Sequence, residues 1–176
     1  MTDPHDAITP LRQAMTGVLR VVVHGKPVPQ GAVRSLGTGR PSIHANAARL
    51  HPWRDSIIAA TLTAQALRLA DVRTDGAFSV TGVFYFDRPK AHYTTRGLLK
   101  PTAPAWPTTR ANGDLDHLQR AVGDALTAAG AIRDDSQIVR WDVQKQYWDV
   151  QNEYVDPDPY CLMTHPGAVL TLRRLD

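Results

Sequence analysis

An α+β domain, built as a small mixed β-sheet with two main helices packed on it, is the fold class the sequence predicts. Three observations predict it. Strand-length runs of β-branched and apolar residues recur along the chain, two segments of helical periodicity separate them, and the resulting order is β-α-β-α-β-β. The 176 residues suit a single domain, with 43% hydrophobic and 21% charged residues in ordinary globular balance.

Residues 1–16, polar and with prolines at 4 and 10, read as a flexible leader ahead of a single domain over 17–176. Val18–His24 (VLRVVVH) is the first strand. Gly25–Pro41 holds three prolines and four glycines, so a loop is expected. The Ala- and Leu-rich stretch 47–70 predicts a helix or a helix pair, with Pro52 suiting a first-turn position. Phe78–Phe86 (FSVTGVFYF) is the second strand. Lys90–Gly113 follows, 24 residues with three prolines and no periodicity, and loops of that length tend to be functional or disordered. Leu115, Leu118, Val122 and Leu126 recur at helical spacing, predicting a helix over 114–129 that Gly130 ends. Ile138–Tyr147 predicts a third strand with Val139, Trp141 and Val143 on one face. The acidic stretch 148–165 reads as irregular, and 168–172 as a short last strand.

Several function classes are disfavoured by composition. One cysteine, Cys161, permits neither an internal disulfide nor a multi-cysteine zinc site. No apolar run approaches a membrane span, and the first residues lack the basic-then-apolar order of a secretory signal, so a cytoplasmic protein without a membrane is expected. Seven histidines form no zinc-binding pair, and Gly37-Thr38-Gly39 is not followed by Lys-Ser/Thr, so no nucleotide cofactor is expected.

Net charge is only +3, but its distribution is uneven. Residues 7–54 contain seven Arg or Lys and no acid, and 88–110 contain five more, again with none. Five aspartates gather between 114 and 135, and 142–158 holds five acids against one lysine. Basic segments beside an acidic knot suit a polyanion approaching a cation-requiring site.

The acidic knot carries the chemistry. Asp114 and Asp116 stand two apart where an extended loop enters a helix, and Asp134 and Asp135 lie just beyond that helix. Carboxylates drawn together repel unless a cation sits among them, and hard divalent ions take oxygen ligands. Such an ion activates water and stabilises charge at phosphorus. Each acid also has a structural reading. An Asp at a helix start caps free N–H groups. Asp116, Arg120 and Asp124 have the spacing of a salt-bridge stripe, and Asp-Asp before a strand is common turn chemistry.

The stretch from Asp114 to Ile138, D-L-D-x-L-x-[KR]-A-x-x-D-A-L-x-x-A-G-x-x-x-D-D-x-Q-[IV], resembles the core of the RusA-type Holliday junction resolvases. Gly25-Lys26-Pro27-Val28-Pro29, Arg88-Pro89-Lys90-Ala91-His92-Tyr93 and Leu99-Lys100-Pro101 resemble the phage and prophage branch of that family. The likeness spans about residues 18–148. It implies a RusA-like fold and a homodimeric, Mg²⁺-dependent endodeoxyribonuclease, with Mn²⁺ able to substitute, that resolves four-way DNA junctions by paired symmetric nicks in recombination and repair. It places the metal-binding and catalytic acids on Asp114, Asp116 and Asp135, with Asp134 a helper, and the conserved lysine on Arg120. The usual Asn after the second aspartate is His117, open to readings as an extra ligand, a hydrogen-bonder or a plain exposed residue. The usual Lys-Pro before the first is Asn112-Gly113, which is expected to loosen the approach. Arg120 keeps a positive charge but does not readily release a proton.

For DNA contact the expected set is Lys26, Arg34, Arg40, Lys90, His92, Arg96 and Lys100, with Tyr93 or Trp106 stacking on an exposed base. Trp53, Trp141 and Trp148 are expected in the core or a dimer interface. Two alternatives stand beside the resolvase: a branched-DNA-binding protein that has lost cleavage, and an endonuclease for flaps or forks.

Overall fold

In a computed structural model, the described residues are 17–31, 33–34, 43–44, 46–67, 74–148, 163 and 165–175. The elements are β1 (Val18–His24), β2 (Val33–Arg34), β3 (Ile43–His44), α1 (Ala47–Ala66), β4 (Phe78–Phe86), α2 (Leu115–Ala128), β5 (Ile138–Tyr147) and β6 (Gly167–Arg174). Four strands form one mixed sheet in the order β1-β6-β4-β5. The β1–β6 and β6–β4 pairs are antiparallel and β4–β5 is parallel. A parallel pair needs a crossover, and the long loop and α2 supply it.

Both helices cover one face of the sheet. Leu50, Trp53, Ile57 and Thr61 form the buried stripe of α1, and Leu118, Ala121, Val122, Ala125 and Leu126 that of α2. They meet Leu19, Val21 and Val23 of β1, Val80, Phe84 and Phe86 of β4, and Leu170 and Leu172 of β6. Arg54 bridges to Asp124 at 3.3 Å, tying the helices together. Asp124 is thus an inter-helix partner and not part of a stripe with Arg120. A smaller cluster of Val83, Tyr85, Met163 and Val169 lies on the other face, with Trp148 packed against it.

The elements depart from expectation in four places. The Gly/Pro loop contains a two-residue ribbon pairing β2 with β3. A single helix covers 47–66, so Pro52 lies inside it rather than in its first turn; the exposed proline removes one backbone donor and the flanking buried stripe holds the helix together. The last strand runs longer than expected, to 167–174. Val139 does not share a face with Trp141 and Val143. The register steps from Phe78 opposite Ile138 to Ser79 opposite Arg140, and this bulge turns Val139 outward, 63% exposed. Trp141 and Val143 do pack on the core, and Trp53 is buried. The 1–16 leader, Arg40, Cys161 and most of the acidic segment lie outside the described residues.

Candidate metal centre and nucleic-acid interface

The approach to the acidic knot is closely held. A 3-10 turn at Arg110–Asn112 buries Asn112, whose side-chain oxygen accepts from the Thr109 hydroxyl. Gly113 follows at φ +69°, and a Cβ there would lie 2.4 Å from Cγ of Pro29. Both the left-handed backbone and the close approach require glycine. Pro29 is itself fixed, because the Asn46 amide donates to its carbonyl at 2.6 Å and accepts from Gly31 N–H at 3.2 Å. Gln30 N–H donates to the His117 carbonyl at 2.9 Å. Asn112-Gly113 therefore does not loosen the approach: burial on one side and Pro29 on the other lock it.

Asp114 occupies the N-cap of α2 in extended geometry, yet its side chain makes no capping hydrogen bond. The capping explanation for this residue thus fails, and among the described residues its carboxylate makes no hydrogen bond or ion pair. Asp116 lies in the first turn, exposed, with Arg120 Nη2 at 3.5 Å and His117 Nε2 at 3.7 Å from its Oδ2. Exposed contacts of that length contribute little. One ligand atom each from Asp114, Asp116 and His117 fall within 4.8 Å of one another. Two carboxylate oxygens and an imidazole nitrogen at one point form a donor set that fits a divalent cation, and a cation there offsets the repulsion of the acids.

The second acidic pair divides its labour. Asp134 caps the turn at 135–137: its carboxylate accepts from Ser136 N–H at 3.0 Å, in a capping box with Gln137. Hydrogen bonds from the Ser136 side chain and backbone hold its carboxyl below the usual aspartate range. Gln137 clamps this turn from inside. Its Oε1 accepts from Arg133 N–H at 2.7 Å and Asp134 N–H at 3.3 Å, and its Nε2 donates to the carbonyls of Thr74 and Gly76 at 3.2 and 3.0 Å. Asp135 is left with a carboxylate that makes no hydrogen bond or ion pair among the described residues. It lies over Gly123, where a Cβ would approach the Asp135 Cβ to 3.2 Å. Gly123 follows Asp116 and Arg120 at i+7 and i+3, so Asp135 stands over the same stripe of α2. It is not one of the three clustered residues; seven residues of helix separate Asp116 from Gly123, about 10 Å of rise.

Two residues that the sequence does not single out take part. Lys145 of β5 donates from Nζ to the Gly113 carbonyl at 2.8 Å, and Gly123 admits Asp135 to the helix surface. The signal for Gly123 is a glycine inside a helical repeat; Lys145 gives none, because only the parallel pairing of β5 with β4 brings it to the loop.

The basic residues are divided between surface and anchor. Lys26, Lys90, Arg96 and Lys100 are exposed, and Trp106 is half-exposed. Arg34 lies in β2. His92 is half-buried, with its ring edge on Tyr147 at 5.8 Å between centroids. Beside it the buried Arg88 lies 4.1 Å from the Tyr147 ring centroid and donates to the Pro104 carbonyl at 2.7 Å. The long loop is ordered between these anchors and an internal turn: Thr94 N–H donates to the Leu98 carbonyl at 2.8 Å, Lys100 N–H to that of His92 at 2.9 Å, and Tyr93 bridges to Leu99. Among the described residues no helix is long and apolar enough to cross a membrane.

The sequence profile of the family described as endodeoxyribonuclease RusA matches residues 25–154. No individually curated protein matches the chain. The matched span takes in the converging acids, the clamp at Gln137, the anchored loop and Lys26. Nearly three quarters of the sequence thus falls under one description, and the chain belongs to the RusA endodeoxyribonuclease family.

Proposed function

We propose that this endonuclease resolves four-way DNA junctions by Mg²⁺-dependent, paired symmetric nicking, acting as a homodimer in recombination and repair. The observation that carries the proposal is the convergence of Asp114, uncommitted at its N-cap, with Asp116 and His117. A bound divalent ion supplies activation of water and charge stabilisation at phosphorus. Asp114 and Asp116 hold that ion through oxygen, and the His117 nitrogen as a third donor makes Mn²⁺ a competent substitute. Asp135 faces the same stripe of α2 and completes the acidic wall. Arg120 exchanges its long contact with Asp116 for the scissile phosphate, orienting it through a charged fork. Lys26, Arg34, Arg40, Lys90, Arg96 and Lys100 bind backbone phosphate, and Trp106 is available to stack on a base. His92 acts from behind, holding the loop. A two-fold dimer places two such sites on opposing strands of a junction with matching symmetry. Phage or prophage origin and action in the host cytoplasm accord with this reading.

A four-way junction and an equal-length duplex, each with Mg²⁺ or EDTA, test it. Paired nicks on the junction alone, dependent on Mg²⁺ and lost in Asp116→Asn with junction affinity retained or raised, are expected. Cleavage of duplex at the same rate, or metal-independent nicking, would sink the proposal. The Asp116–Arg120 pairing favours one second reading, a protein that binds branched DNA without cutting it. Tight junction binding with no nick under either condition would establish that reading.

A further inference from the structure

Lys145 has no place in the chemistry above, yet its position is unusual for a lysine. It lies on β5, an edge of the four-stranded sheet, opposite Phe84 of β4. Its neighbours on the same face, Val143 and Tyr147, pack into the core beneath the helices. The side chain is half-buried, so its methylene stem runs along apolar surface before the ammonium emerges. The ammonium emerges at the Gly113 carbonyl, one peptide unit before Asp114. Among the described residues it makes no other hydrogen bond and no ion pair with an acid. Its effect on Asp114 therefore passes through the backbone. Pro29 packs on Gly113, and the lysine bond adds a tie to the carbonyl itself.

We propose that Lys145 is a positioning residue for Asp114: by holding the Gly113 carbonyl against the sheet edge, it sets where the Asp114 carboxylate enters the metal centre. This inference rests on the proposed metal centre. It also predicts a sign. A lysine that acted only as a nearby positive charge would oppose cation binding, so its removal would tighten the metal. A lysine that positions a ligand would do the reverse, because the ligand must be reordered on binding.

The test is Mn²⁺ affinity of the full chain without DNA, followed by electron paramagnetic resonance of the free ion, for the native protein, Lys145→Met and Lys145→Arg. Methionine keeps an unbranched stem and removes the donors. Lys145→Met is expected to weaken Mn²⁺ binding by about 10-fold, the lower end of what is lost when a ligand's hydrogen-bonded support is removed. Lys145→Arg, still a donor, should stay within about threefold of native. Tighter or unchanged Mn²⁺ binding by a folded Lys145→Met protein overturns the inference, even if its thermal midpoint falls. Should the methionine variant not fold, a loss of more than tenfold in a folded Lys145→Arg protein, or in Lys145→Gln no loss at all, overturns it as well. Native protein that binds no Mn²⁺ would remove the metal centre and the inference together, whereas native binding with indifferent variants removes the inference alone.

Discussion

Gly123 shows how a single missing methyl group shapes this site. Within α2 an alanine would improve helix propensity by up to about 1 kcal/mol. The Cβ would, however, stand 3.2 Å from that of Asp135, so the acid must give way. Gly123→Ala is therefore expected to change stability by less than about 1 kcal/mol while lowering junction cleavage at least tenfold, measured by thermal unfolding beside single-turnover nicking. Unaltered cleavage would show that Asp135 has no part in the chemistry. The neighbouring acid behaves differently: Asp134 is committed to Ser136, which holds its carboxyl low and keeps it anionic as a cap. One motif, Asp-Asp-Ser-Gln, thus contains a cap, a free carboxylate and a clamp, and the hydrogen bonds separate the three.

Among the elements, the long loop from Lys90 to Gly113 departs furthest from what its composition suggests. Three prolines and no periodicity are compatible with disorder, yet its described backbone is tied by local hydrogen bonds and anchored at Arg88, His92 and Tyr147. Arg88 is 8% exposed, so its charge is held by the aromatic ring and the Pro104 carbonyl rather than by water. Arg88→Met keeps bulk and removes both contacts. Its expected result is faster trypsin cleavage after Lys90 and Arg96, with the far-ultraviolet circular dichroism of the sheet and helices preserved. A cleavage rate equal to native would mean that the local turns hold the loop without the anchor. The bulge at Val139 matters at the same scale, because it resets the register that then places Lys145 under Gly113.

For the whole molecule, charge distribution outweighs net charge. A value of +3 predicts weak attraction to DNA, but the exposed cations lie in acid-free segments of the chain. If Lys26, Lys90, Arg96 and Lys100 each neutralise a phosphate, log affinity should fall against log salt with a slope near −4 per subunit, at about 0.9 per contact. Fluorescence anisotropy of a labelled junction in EDTA measures it, and a slope shallower than about −2 would remove these residues from the interface.

Sequence periodicity by itself determined the large elements. The bounds of β1, β4 and β5 are as read from apolar runs, and the α2 stripe follows from Leu118, Val122 and Leu126, since burial of one face imposes a period on the chain. The spacing of Asp114 and Asp116 around a helix start likewise put two carboxylates at one place, because that convergence is local. Only the tertiary structure decided what each acid is free to do. Whether Asp135 meets the helix and which lysine reaches Gly113 depend on contacts between residues 12 and 32 apart in sequence, and the approach to Asp114 is held by a contact 84 residues apart, between Pro29 and Gly113. Local patterns carry no record of such contacts, which arise when the sheet closes and the loops are drawn against its edge.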